Sequence, residues 1–354
     1  MNKQWANRVQ RGQRLPAHPG RVCAGLMLIP LLAGCEVQWG GIDVEVHEAE
    51  FAREDSGAII ADSLAEPALL ELPSGPLLFH VRRTDAAGQA TIEAVAELAD
   101  AELKPLGPRL AEQAAEYISE FVARYYQPDQ AYTLFRGRTR VGTFYVRAPA
   151  LRGSGLCPEL RAEGQVELRP GADTLSEFHA WPPSTRSGEE DLEVPVYRGD
   201  MPAMAQVLAR FGVRDHRIPG GWRFGAPVDL RALQVGSGPR GFAATFMVDD
   251  SLGLGSPRDS AGMAFVVADY APARGYFPLY FDAEWYGPGQ KRALHWIDSL
   301  DLVGDPGDEW LLRAYGDASS WYELVSQRDT VRAVVWSSHR PVCEARESTP
   351  GGSG

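Results

Sequence analysis

The hydrophobic period of the chain changes from two to about 3.6 and back, and these changes divide it into elements. An alternation of Ile42, Val44 and Val46 with acidic or polar neighbours predicts a strand over 40–48. Residues 52–76 carry Pro67, Pro73 and Pro76 among charges and read as loop-rich. Leu77, Phe79 and Val81 share one face of a strand over 75–83, whereas the alanines of 91–98 fit either a strand or a helix. After Pro105-Leu106-Gly107-Pro108 the spacing becomes three and four. Leu110, Ala114, Tyr117, Ile118, Phe121, Val122 and Tyr125 predict a helix near 109–126, stopped by Pro128. Glu112, Glu116 and Glu120 form its wet side, and the opposite stripe is expected to pack on a sheet.

Period two returns at Ala131. Tyr132–Phe135 and Val141–Val146 flank Arg136-Gly137-Arg138-Thr139-Arg140, which predicts a hairpin with a solvated basic tip. A short strand is expected at 166–168. Residues 170–195, with Pro182-Pro183-Ser184 and Glu189-Glu190-Asp191, read as a long exposed loop or linker. A second helix is expected near 202–211, capped by Asp200, with Pro202 in its first turn and Gly212 past its end. Its predicted buried face is Met204, Val207, Leu208 and Phe211. From there consecutive strands are expected at 228–235, 241–248, 263–270, 277–286, 292–297, 309–315, 320–326 and 331–337. The fold class is therefore α+β, predominantly antiparallel β in the C-terminal half, as a sandwich, barrel or blade-like meander.

The N-terminus carries a different pattern. Lys3, Arg8, Arg11, Arg14 and Arg21 precede a short apolar run from Val22 to Leu32, with no acidic residue before it. This is the order of an export signal, and the run falls short of the roughly 20 residues of a membrane-spanning helix. Its ending, Leu32-Ala33-Gly34-Cys35, resembles the lipobox of bacterial lipoproteins. The resemblance implies that residues 1–34 are a signal peptide and that Cys35 becomes an acylated N-terminus tethering the protein to a membrane. Glu36 stands where aspartate retains some lipoproteins at the inner membrane, so the resemblance favours the outer membrane. The remaining organisation is an α+β region over 35–199, a β-rich region over 200–346 and a disordered tail over 347–354.

Charge narrows the choice of partner. The formal net charge is −12, and loss of the five basic residues of the leader takes it to −17. Binding of nucleic acid through a general basic face is disfavoured. With Cys23 removed and Cys35 acylated, Cys157 and Cys343 meet an oxidising compartment and are expected to form a disulfide.

Candidate chemistry is sparse. Fourteen aromatics lie between Phe265 and Trp336, among them Tyr280, Trp285, Tyr286, Trp296, Trp310, Trp321, Tyr322 and Trp336. They could stack sugars or fill a β core, and core filling is the expectation. His47, His80, His179, His216, His295 and His339 are scattered without ligand spacing, and no catalytic residue, metal site or cofactor is predicted. Ser260 in Asp259-Ser260-Ala261-Gly262 lacks the accompanying motifs of a serine protease, and Gly253-Leu254-Gly255 reads as a turn. The stretch Asp298–Leu311 resembles the Asp-x-Asp-Gly-Asp-Gly loop and following strand of FG-GAP or VCBS-type repeats, which implies a strand-loop-strand. Val303 and Pro306 depart from that pattern, so the loop of Asp301, Asp305 and Glu309 is expected to be degenerate and to hold no calcium tightly. The expected function is a membrane-tethered, non-enzymatic binding or structural module with an unidentified glycan or protein partner. The alternative is an envelope hydrolase or glycan-binding protein using the aromatic-rich half.

Overall fold

The computed structural model describes residues 70–340 except 101, 152–156, 184, 186–194, 196, 236–237, 303–307 and 329–330, together with the side chains of 234–240. The expected strand over 40–48, Cys35, Cys343, Asp305 and the tail lie outside the described residues. All described residues belong to one compact unit, Leu64–Gly354.

The first part of this unit is a barrel. Strands β1 (Leu77–Arg83), β2 (Gln89–Ala99), β3 (Glu102–Pro105), β4 (Ala131–Arg136), β5 (Thr139–Pro149), β6 (Arg161–Leu168) and β7 (Glu177–Trp181) pair in the order β1-β7-β4-β5-β6-β2-β3. A further β1–β2 pairing closes six of them into a ring, and every pairing is antiparallel. Closure satisfies backbone groups that an open sheet would leave at its edges. The alanine-rich 91–98 stretch is strand, within β2. Helix α1 (Ala114–Tyr125) follows a short 3-10 turn and buries Tyr117, Phe121 and Tyr125 in the barrel core with Phe79, Tyr132 and Phe144. This is the face its sequence spacing predicts.

The second part contains two four-stranded meanders. One is β8 (Asp229–Val235), β9 (Gly238–Val248), β10 (Ala261–Ala271) and β11 (Gly275–Tyr286); the other is β12 (Ala293–Leu300), β13 (Glu309–Tyr315), β14 (Ser320–Arg328) and β15 (Val331–Ser337). All eight expected C-terminal strands are present. Met263, Phe265 and Val267 of β10 meet Trp296, Trp310 and Leu312 between the sheets, making a sandwich. The outer face of the second sheet packs Ile297, Leu311 and Leu324 against Leu78, Phe135 and Trp181 of the barrel. The outer face of the first sheet packs on helix α2 (Met201–Asp215). The layers thus run barrel, second sheet, first sheet, α2. Burial on both faces explains why β10 and β12 are apolar or buried nearly throughout.

Three expectations are corrected. The segment 170–195 is not simply a loop, since it contains β7, whose five residues are all buried. Phe178 and Ala180 enter the barrel core while Trp181 packs toward the second sheet, so both faces are covered. Helix α2 runs past Gly212, and its buried face is Met201, Ala205, Ala209 and Gly212. Val207 and Phe211 are 54% and 47% exposed. Small residues are needed here because the helix lies close on the sheet: a Cβ at Gly212 would come within 2.5 Å of the Phe281 ring. Asp200 makes no side-chain cap, and pairs instead with Arg198 at 3.2 Å.

The hairpin tip is the third correction. Arg136 Nη1 donates to the Ile297 carbonyl at 2.6 Å, and the Gly137 N–H donates to the Asp298 carboxylate at 3.0 Å. The β4–β5 tip is docked on β12 rather than solvated. Arg138 and Arg140 are exposed, and Arg138 still pairs with Asp308 at 2.9 Å.

Candidate functional site: a buried polar seam and an arginine-lined cleft

Barrel and sandwich meet along a line of buried ionisable groups that the pleat brings together from distant strands. In β7, Glu177 and His179 alternate with the apolar residues of the barrel core, and His80 of β1 lies opposite His179 in register. Strand β12 contributes His295 and Asp298, and β8 contributes Asp229 and Arg231. Glu177 Oε2 accepts from His295 Nε2 at 2.9 Å and from Arg231 Nη2 at 2.9 Å, and its Oε1 lies 3.6 Å from His80 Nε2. His295 Nδ1 reaches Asp229 at 3.0 Å, and Arg231 Nε donates to the same carboxylate at 2.9 Å.

The electrostatics follow from this geometry. Burial disfavours the His295 cation, but hydrogen bonds to Asp229 and Glu177 on its two nitrogens outweigh it and raise the pKa above the ordinary histidine value. Burial likewise opposes the Glu177 anion, yet His295 and His80 hold it well below the usual carboxylate range. Asp229 is held low against burial by His295 and Arg231. His80 goes the other way, because burial dominates and lowers its pKa. His80 Nδ1 lies 3.0 Å from the Tyr322 hydroxyl, and its Nε2 faces the Glu177 carboxylate at 3.6 Å. The seam is therefore two anions, one imidazolium and one guanidinium, balanced in charge.

A second knot lies beside it. Asp298, 3% exposed, accepts from His179 Nδ1 at 2.9 Å and from the N–H groups of Gly137 and Ser299, with Arg136 Nε at 3.6 Å. The His179 ring stacks on Phe135 at 5.5 Å.

Tyr322 carries the seam to the surface, where it lines a cleft of about 480 Å³ between β2, the 157–161 segment, β13, β14 and residues 338–340. Arg82, Arg161, Arg313 and Arg340 line it with Glu93 and Glu159. Burial would raise the Glu93 pKa, but Arg313 at 3.3 Å and Arg161 at 2.9 Å lower it on balance. Arg161 also pairs with Glu159 at 3.1 Å. The Arg313 guanidinium lies 5.4 Å from the centres of both the Tyr315 and Tyr322 rings, and its Nη2 donates to Ser320 Oγ at 2.8 Å.

The residues singled out in the sequence are dispersed around this site. Cys157 lines the cleft and is disulfide-bonded; the other three cysteines lie outside the described residues. Asp301 pairs with Arg138 at 3.6 Å, and buried Glu309 accepts from the Leu302 N–H at 3.1 Å, so both side chains already have protein partners. Ser260 is exposed. Gly253-Leu254-Gly255 belongs to a loop pinned by the buried Lys291 ammonium, which donates to the Ser251 and Gly255 carbonyls and lies 3.1 Å from Asp250. Of the named aromatics, Tyr286, Trp296, Trp310, Trp321 and Tyr322 are buried, which matches core filling. Three of the scattered histidines converge on the seam, a grouping no local spacing could show. Glu177, which organises them, lies in the segment read as loop. Among the described residues, no group of three or more His, Cys, Asp or Glu side chains is arranged to hold a metal ion.

No family model, curated protein or solved structure matches this chain.

Proposed function

We propose that the protein is a lipid-anchored binding module of the cell envelope, held at the membrane by acylated Cys35 and presenting the arginine-lined cleft to a ligand. The observation that carries this reading is the pairing of the cleft's carboxylates. Hydrolysis of a glycosidic bond needs one carboxyl held protonated as a general acid, whereas Glu93 is driven toward its anion and Glu159 is matched to Arg161. The seam histidines are likewise fixed to buried partners beneath the surface. Such a site suits recognition rather than proton transfer. The competing reading, a hydrolase or glycan platform in the aromatic-rich half, is weakened by the burial of Trp296, Trp310 and Trp321.

The tether rests on Leu32-Ala33-Gly34-Cys35. Acyl chains contribute about 0.8 kcal/mol per buried CH₂, so several on one cysteine hold a folded unit stably at a bilayer. Mass spectrometry of the mature protein should show an acylated N-terminal Cys35, and Cys35→Ala should leave the membrane fraction. A Cys35→Ala chain that stays membrane-bound with unchanged processing would refute the tether. Glu36 makes the outer membrane the expected destination.

We further propose Cys343 as the partner of Cys157. His339 and Arg340, just before it in sequence, line the same cleft as Cys157. Loss of this bridge by Cys157→Ser should cost about 2–5 kcal/mol of stability. Peptide mapping without reductant should recover the two cysteines in one linked peptide; finding the Cys343 thiol free disproves the pairing.

A further inference from the structure

We infer that the cleft between the barrel and the second sheet takes a small organic anion, clasped by Arg82 and Arg340 over a floor formed by Arg313 and Arg161. This rests on the cleft being the binding site, and adds the chemical class of what it binds. Four arginines face two glutamates in this recess, although the whole chain has a formal charge of −12. Both glutamates are already engaged. Glu93 holds Arg161 and Arg313, and Glu159 holds Arg161. These contacts fix the floor guanidiniums in place without neutralising the remaining charge. Arg82 is exposed, and its guanidinium makes no hydrogen bond or ion pair among the described residues. Arg340 is fixed by donation from Nη2 to the Leu106 carbonyl at 2.7 Å, and burial lowers its pKa, a cost that an anion beside it would relieve.

The shape agrees with the charge. A volume of about 480 Å³ lies within the roughly 300–1,000 Å³ range of small-molecule sites. Part-exposed Tyr315 gives the wall flat apolar surface beside the guanidiniums, so an anion with a compact apolar or planar body fits better than a bare ion. Arginine's fork matches both carboxylate and phosphate oxygens, and this geometry does not choose between them.

Calorimetric titration of the full chain at low ionic strength, with citrate, inorganic pyrophosphate and neutral maltose as separate probes, tests the inference. Saturable binding of citrate or pyrophosphate is expected at one site, weakened about tenfold or more by Arg82→Gln. Whichever anion binds tighter identifies the carboxylate or the phosphate as the preferred group. Arg210→Gln, on the exposed side of α2, should leave the affinity unchanged, as should Cys35→Ala. No saturation by either anion at about 10 mM, or equal weakening by Arg82→Gln and Arg210→Gln, would overturn it. Binding of maltose alone would also overturn it while leaving the binding-module reading intact. A Cys35→Ala chain that stays in the membrane fraction with anion binding retained would do the reverse.

Discussion

Replacing Glu177 by glutamine should cost about 3–5 kcal/mol of folding stability, although the two side chains have nearly the same shape. The carboxylate, 6% exposed, accepts from His295 and Arg231 at 2.9 Å and faces His80. An amide leaves the buried His295 cation and the part-buried Arg231 with one carboxylate, Asp229, between them, and turns a hydrogen-bond donor toward at least one of them. The pH profile should change as well. Glu177 and Asp229 have depressed pKa values, so their stabilisation is present above the unfolded carboxylate range and is lost as pH falls through the folded values. Neutral buried His80 adds to this acid limb, because its pKa is lowered and its contribution also disappears on protonation. His295 acts in the opposite sense. Its raised pKa gives stabilisation that is complete below about pH 6.5 and is lost as pH rises through the folded value. Stability should therefore peak between the two limbs. In Glu177→Gln the acid limb should shrink, and the alkaline limb should move to lower pH because His295 has lost a counter-charge. Denaturant titrations across about pH 4–9 would measure both effects. A loss under about 1 kcal/mol with an unchanged profile would show that Glu177 does not hold the seam.

How far such a centre could be read from the sequence depends on what each strand face touches. Strands β8 to β15 were legible because their apolar runs and intervening turns survive in the linear pattern. Helix α1 was legible because its one buried face points into one core. The pattern failed where a second face is buried by polar pairing. In β7 the apolar positions are interleaved with Glu177 and His179, and these count as solvent-facing until their partners on β1, β8 and β12 are known. In α2 the conflict is between size and apolarity. Phe211 and Val207 mark the most hydrophobic stripe, yet only Ala205, Ala209 and Gly212 allow the close approach to β10 and β11. The basic hairpin tip misled for the same reason as β7, since Asp298, which receives Gly137, lies 161 residues away. Hydrophobic period reports water against protein; it carries no information about which charge will meet which. The cleft is a product of those long-range pairings, so its arginines could be counted in the sequence but not gathered.

Asp298 gives the sharpest test of that long-range pairing. Asp298→Ala should destabilise the protein by about 3–5 kcal/mol, because one carboxylate joins β7 through His179, the β4–β5 tip through Gly137 and Arg136, and its own strand through the Ser299 N–H. Alanine leaves the part-buried Gly137 N–H and the buried His179 ring without this acceptor, and it removes the anion facing Arg136, which is 13% exposed. Asp301→Ala is the matched control. Its partner Arg138 is 3.6 Å away and 42% exposed, so the change should cost under about 1 kcal/mol. If the loop resembling a calcium repeat were stabilised mainly by a metal, the two substitutions would lose stability together, and both losses would depend on added calcium. The contacts predict instead a large loss at Asp298 and a small one at Asp301, with neither changed by calcium or by chelator. Hydrogen exchange should then localise the damage, with protection falling first in the β4–β5 tip and in β12, where barrel and sandwich are joined. Equally small losses at the two positions, unchanged by calcium, would mean that the join is held by the apolar contacts of Phe135, Trp181 and Ile297 and not by the carboxylate.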